Sequence, residues 1–228
     1  MWERFSFYGM RALLLVYMTS QLHYDDPKAY AILGSYAALV YTMPMFGGFM
    51  ADQFIGYQRS IIFGGIMMTL GHFILAIPYE WSFFFGMAFI ICGNGFFKPN
   101  VSSLVGTLYK ENDPRRDSGF SIFYMGINIG AAAGGFLCAY VGTEINWHYG
   151  FGLAGIFMVL GLVVFLLGKK SLGTRGLPPS AEVLKNPVFA FLKPKFLIYG
   201  GTLLIVPLIV TLFNQYGLMD YIMFGLGI

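Results

Sequence analysis

Phe151-Gly-Leu-Ala-Gly-Ile-Phe-Met-Val-Leu-Gly-Leu-Val-Val-Phe-Leu-Leu167 contains no charge, no amide and no proline. Extended to Gly150–Gly168, the run is apolar on every side of a helix. At 1.5 Å per residue it nearly spans the roughly 30 Å hydrocarbon core of a bilayer. A membrane-spanning β-strand would instead alternate inward and outward residues over about ten positions, and this run does not alternate. It reads as a transmembrane helix. The whole chain agrees, with 57% hydrophobic residues, 18% aromatic and 11% charged. An average soluble domain carries about 25% charged residues, so a soluble fold could not cover this much apolar surface with so few charges. The solvent for the remainder is lipid.

The same criterion, applied outward from that run, gives further spans. They are Glu3–Leu22, Ala29–Ala51, Ser60–Pro78, Ser82–Tyr109, Gly119–Gly142, Gly150–Gly168 and Phe196–Gln215, and Tyr221–Ile228 reads as the start of an eighth. The expected fold is an all-α polytopic membrane protein. Short polar loops such as His23–Lys28 and Lys110–Ser118 join the spans. The exception is Lys169–Lys195, which holds Pro178, Pro179 and Pro187 and reads as a linker or a surface-lying amphipathic piece. That boundary divides the chain into residues 1–168, 169–195 and 196–228.

Taking alternate loops, one side holds Arg59, Lys110, Arg115, Arg116, Lys169, Lys170, Arg175, Lys185, Lys193 and Lys195; the other holds only Lys28. Cytoplasmic loops carry the excess of lysine and arginine. The bias therefore predicts a cytoplasmic-membrane protein with the amino end and the long linker in the cytoplasm. It also explains the surplus of positive charge by position, without a nucleic-acid partner. No secretory signal is read at the start, because Glu3, Arg4 and Arg11 interrupt the apolar run.

Subtracting the loop charges leaves Arg4 and Arg11 on the first span, Lys98 on the fourth, and Glu3 as their acid. A charge at mid-bilayer costs about 2.5–3.5 kcal/mol even on lenient insertion scales. Such residues face a bundle interior or water and mark a pathway. Charged ends can snorkel to the headgroups, which competes for Glu3 and Arg4 but not for Arg11 and Lys98, flanked by apolar sequence on both sides. Arg4, Tyr8 and Arg11 fall at i, i+4 and i+7, so one helix face presents two guanidiniums and a phenol. Three cations against one acid leave room for an anionic ligand, and the planar arginine fork suits a carboxylate. A partly desolvated Glu3 whose partner is drawn toward a ligand can change protonation state, coupling proton movement to binding.

On the fourth span, Gly93-Asn94-Gly95 precedes Lys98-Pro99-Asn100, which predicts a bent helix whose freed backbone groups face protein or water. On the fifth, Gly126, Gly130 and Gly134 form a close-packing stripe. Asn128 follows Tyr124 by four residues, on a face away from those glycines. Cys92 and Cys138 lie in apolar stretches and read as inert small hydrophobes. No Cys/His cluster has metal-ligand spacing, and His72 has no acid or cysteine at helical spacing that would make an enzyme site. No cofactor is implied.

Four segments then resemble a known family. Gly48-Phe-Met-Ala-Asp52-Gln-Phe-Ile-Gly56-Tyr-Gln-Arg59 is similar to the loop motif between the second and third helices of the major facilitator superfamily. Trp2-Glu3-Arg4-Phe5-Ser6-Phe7-Tyr8-Gly9 with Arg11, Gly93-Asn-Gly-Phe-Phe-Lys98-Pro99-Asn100, and Phe123-Tyr124-Met-Gly-Ile-Asn128-Ile-Gly130 resemble the proton-dependent oligopeptide transporter (POT) family. The resemblance implies the six-helix amino-terminal bundle of the major facilitator fold, followed by the start of an inserted helix hairpin. It implies proton-coupled symport of di- and tripeptides, with nitrate or an amino-acid conjugate as the alternative cargo of the same fold. Glu3 and Arg4 match the last two positions of the family's Glu-x-x-Glu-Arg motif, whose first glutamate would precede Met1. By the same resemblance Glu3, Arg4 and Lys98 take part in proton coupling. Arg4, Tyr8, Arg11, Tyr41, Lys98 and Asn128 contact substrate. Phe7 departs from the family's commoner tyrosine. Family members carry a second six-helix bundle, so the chain reads as a fragment whose partners are the peptide, protons, the lipid bilayer and that missing carboxy-terminal bundle.

Overall fold

A computed structural model describes residues 1–178 and 194–215, which are helical almost throughout. Among them lie α1 (Trp2–Ser20), α2 (Asp26–Met50), α3 (Tyr57–Leu75), α4 (Glu80–Gly106), α5 (Arg116–Glu144), α6 (Trp147–Leu172) and α7 (Pro194–Asn214). Each of the seven expected spans is one of these helices, with ends moved by a few residues. The shift at the end of α6 matters, because the helix continues to Leu172 and takes in the first residues expected as linker. Lys169 and Lys170 stand in its last turn, where the helix dipole favours cations. Most of the linker, and Tyr221–Ile228, lie outside the described residues.

By length and apolarity alone, five helical stretches could cross a bilayer: Asp26–Ile55, Glu80–Gly106, Arg116–Glu144, Trp147–Leu172 and Lys195–Phe213. α1 and α3, although present as helices at the expected places, fall outside that apolar set. The first carries Glu3, Arg4 and Arg11; the second opens on Gln58 and Arg59 and holds His72. Both helices turn much of that polarity inward, since Glu3, Arg4, Gln58 and His72 are all buried. Charged and polar groups in a membrane bundle face its interior for this reason.

Local chemistry explains several helix ends. Pro27 sits in the first turn of α2, where its missing N–H is harmless. The Asn146 side chain accepts from the His148 N–H at 2.9 Å and caps α6. After α2 the chain makes one wide π-helical turn, Ala51–Ile55, and stops at Gly56 with φ 77° and ψ 159°, a conformation essentially reserved for glycine.

The bundle is built by glycines that let helix backbones touch. α3 packs along α4, and a Cβ on Gly64 would lie 2.5 Å from the Gly93 carbonyl oxygen. One on Gly71 would lie 2.8 Å from that of Gly86. α1 packs on α5, where Gly130 and Gly134 of the predicted stripe lie beneath the backbone of Met1 and Phe5. α4 is continuous through Pro99, and the Gly95 carbonyl that this proline leaves without a donor faces protein, against Gly47 of α2. Outside this bundle, α7 lies on α4, with Tyr199 stacked on Phe63 of α3 at 4.3 Å between ring centres.

Contacts between loops confirm the alternation of ends. At one end, Gln58 donates from its backbone N–H to the Gly176 carbonyl at 3.1 Å. Its side-chain Nε2 donates to the carbonyls of Arg175 at 2.6 Å and Gly173 at 3.3 Å. At the other end the Tyr24 hydroxyl donates to Glu80, and Tyr17 packs on Trp147 and Phe151 at 5.9 and 5.3 Å.

Candidate functional site

The first turn of α1 carries Glu3 and Arg4, 7% and 8% exposed. Arg4 Nε donates to Glu3 Oε2 at 2.7 Å. The second carboxylate oxygen, Oε1, is buried with no hydrogen-bond partner among the described residues. The guanidinium also lies 5.7 Å from the centre of the Phe7 ring.

This pair opens on a cavity of about 530 Å³ between α1, α4, α5 and α6. Tyr8 joins Glu3 and Arg4 from α1, and Phe97, Lys98 and Ser102 enter from α4. Phe123, Tyr124 and Ile127 of α5, with Gly161, Val164 and Phe165 of α6, complete a largely apolar wall. Lys98 is half-buried, and its Nζ stands 4.7 Å from the centre of the Tyr41 ring of α2. Tyr41 itself is 55% exposed.

Arg11 lies one step away. It is exposed and lines a shallow groove of about 360 Å³ with Tyr8, Ala12, Ala131 and Gly135. Tyr8 borders both spaces, while the two guanidiniums of α1 line different ones, Arg4 the cavity and Arg11 the groove. Asn128 is exposed on α5 and lines neither space. The structure thus gathers Glu3, Arg4, Tyr8 and Lys98, adds Tyr41 through Lys98 and Arg11 through Tyr8, and leaves Asn128 apart. Sequence reasoning missed the apolar wall and Ser102. Ser102 follows Lys98 by four residues and could have been found by helical spacing; Val164 and Phe165 lie in a helix apolar all round and carry no such signal.

Chemically the site has one acid already paired, a cationic surplus, and an apolar wall beside it. That combination accommodates a small anion with apolar substituents. Among the described residues no three His, Cys, Asp or Glu side chains gather to hold a metal, and the thiols of Cys92 and Cys138 are free and buried.

Comparison with known proteins fits this geometry. The model of the POT family, PTR2, matches residues 58–195. The chain is 48% identical over 182 residues to the uncharacterized transporter YclF of Bacillus subtilis (strain 168), covering 77% of this chain and 37% of that protein. It is 43% identical over 216 residues to a di-/tripeptide transporter of Lactococcus lactis subsp. cremoris, covering 91% of this chain and 43% of the relative. The chain thus spans about two fifths of the length of the curated relatives it matches. Among solved structures, a peptide transporter POT in complex with sulfate is 42% identical with a TM-score of 0.77, over 93% of this chain and 44% of that one. A bacterial homologue of the human drug peptide transporters PepT1 and PepT2 is 30% identical with a TM-score of 0.86, over 99% and 50%. Helices α1–α6 are therefore the amino-terminal bundle of the major facilitator fold, and the chain belongs to the POT family.

Proposed function

We propose that this chain is the amino-terminal part of a proton-coupled symporter of di- and tripeptides. One observation carries the reading: the buried Glu3–Arg4 pair opens, with one carboxylate oxygen unpartnered, on the same cavity as Lys98 and Tyr8. A peptide carboxylate has the charge and the planar shape that the Arg4 guanidinium binds best. As the carboxylate draws that guanidinium away, Glu3 loses its cation, and a proton on the carboxyl becomes favourable. Peptide and proton then load together. Lys98 supplies a second positive charge, and the apolar wall takes peptide side chains. Arg11 and Asn128 contact the peptide from the exposed side.

On this reading residues 1–168 are the first bundle, 169–195 the linker, and 196–228 an incomplete inserted hairpin. Of the site residues, Arg11, Tyr41 and Asn128 lie on an open face. Tyr41, Met45 and Phe49 are exposed at four-residue steps on α2, and Ile122, Met125, Ile129 and Phe136 are exposed at steps of three, four and seven along α5. These apolar stripes border the site and are where a second bundle docks, rocking against the first around a midplane site. The protein resides in the cytoplasmic membrane with the amino end and the linker in the cytoplasm, as the lysine and arginine bias supports.

The test is uptake of a labelled dipeptide into proteoliposomes containing the complete transporter, under an inward proton gradient. Gradient-dependent accumulation, competed by other dipeptides and not by nitrate, is expected. Accumulation that ignores the gradient, or that nitrate competes, refutes the reading.

A further inference from the structure

Proline removes the N–H that would bond to the carbonyl four residues earlier. On α2 the interior proline is Pro44, and the carbonyl left without a donor is that of Val40. On α4 it is Pro99, and the carbonyl is that of Gly95. Each is met by the other helix. Asn94 of α4, 1% exposed, donates its Nδ2 to the Val40 carbonyl at 3.1 Å. Gly47 of α2 sets its bare Cα against the Gly95 carbonyl, where a Cβ would not fit.

These two missing helix hydrogen bonds bracket the site. Tyr41 lies between Val40 and Pro44, Lys98 lies between Asn94 and Pro99, and the Lys98 Nζ is 4.7 Å from the Tyr41 ring centre. A helix interrupted by proline bends at the interruption, so whatever bonds to the freed carbonyl sets the bend. The Asn94 Oδ1 is buried without a hydrogen-bond partner among the described residues. Burying an unpaired acceptor is unfavourable, and an apolar side chain would avoid it. What an apolar side chain cannot do is donate to Val40.

We propose that Asn94 is a positioning residue for the substrate site. Its amide fixes α2 at Pro44 against α4 and thereby holds Tyr41 on Lys98. The inference rests on Tyr41 and Lys98 serving peptide binding, and it is independent of the proton coupling proposed above.

Two variants in the complete transporter test it. Asn94→Leu removes the donor. Pro44→Ala combined with Asn94→Leu returns to α2 its own N–H for Val40. Because a buried carbonyl left unpaired is costly, Asn94→Leu should raise KM for a dipeptide about tenfold with little change in maximal rate, and the double variant should recover most of that loss. Hydrogen–deuterium exchange across residues 40–48 should follow the same order, faster in the single variant and restored in the double. Wild-type KM and exchange in Asn94→Leu overturn the proposal, as does a double variant no better than the single one. If the wild type fails to take up peptide, the transport reading falls, and the exchange comparison still decides the role of Asn94.

Discussion

The Lys98 ammonium lies 4.7 Å from the centre of the Tyr41 ring, a cation held on an aromatic face between α4 and α2. Such contacts contribute about 0.5–2 kcal/mol depending on desolvation. Tyr41→Ala should therefore raise KM for a dipeptide by about two- to thirtyfold, whereas Tyr41→Phe keeps the ring and most of the effect. Proteoliposome uptake as a function of peptide concentration measures both. Equal losses in the two variants would assign the effect to the hydroxyl instead.

Glu3 and Arg4 should separate two functions of the site. Glu3→Gln keeps the shape but cannot take up a proton, so accumulation driven by a proton gradient should vanish while peptide counterflow persists. Arg4→Lys replaces a planar fork by a point charge. Loss of a charge-assisted hydrogen bond of about 1.5–3 kcal/mol predicts a KM raised by about ten- to 150-fold. Counterflow abolished by Glu3→Gln would place the carboxyl in peptide binding rather than coupling.

The α3–α4 contact gives a stability prediction. A methyl on Gly64 meets the Gly93 carbonyl oxygen at 2.5 Å, while one on Gly168 meets nothing within 4 Å. Gly64→Ala should cost about 1–3 kcal/mol by overpacking, lowering the thermal transition in detergent. Gly168→Ala should be neutral or stabilising by up to about 1 kcal/mol through helix propensity. Identical transitions for the two variants would contradict the close approach.

Gln58 ties the start of α3 to the segment after α6 through carbonyls at 2.6 and 3.3 Å. Gln58→Leu leaves these carbonyls without that donor, a local cost of about 1–3 kcal/mol. Trypsin should then cut after Arg175 faster than in the wild type, and Gln58→Glu, which has no amide donor, should behave alike. An unchanged cleavage rate would show that the backbone bond from Gln58 to Gly176 suffices.

Outside the spans, burial and then the hydrogen bond to Glu80 push the Tyr24 hydroxyl well above the ordinary tyrosine range. A raised folded value means that its contribution is complete below the unfolded pKa, about 10, and fades only as pH rises through the folded value. Tyr24→Phe should thus lose the same increment of thermal stability at every pH from neutrality to about 9. An increment that changes across that window would show that other groups control the link.

The spans and the buried charges were legible for one reason: lipid is intolerant, so long apolar runs and isolated ions stand out in the sequence. What joins helix to helix was not. Val164 and Phe165 line the cavity from a helix apolar on all sides, so periodicity gives them no direction. The bond from Asn94 to Val40 needs the register of α2 on α4, which no local pattern encodes. The glycines Gly93 and Gly95 read as loosening α4, yet they bring α3 and α2 onto it. α1 and α3 are less apolar than the other spans because they carry the charged and polar groups, many of them buried in the bundle.

The ion pair of Glu3 and Arg4 joins neighbours in a single helical turn. It therefore travels with α1 as one rigid piece, and no rotation of one half of a carrier against another can stretch or shorten it. A gate made of residues on opposing halves is opened by motion; on the symport reading proposed above, this pair is opened by chemistry, by a competing anion or an arriving proton. On that reading its state reports occupancy rather than the side of the membrane that the site faces.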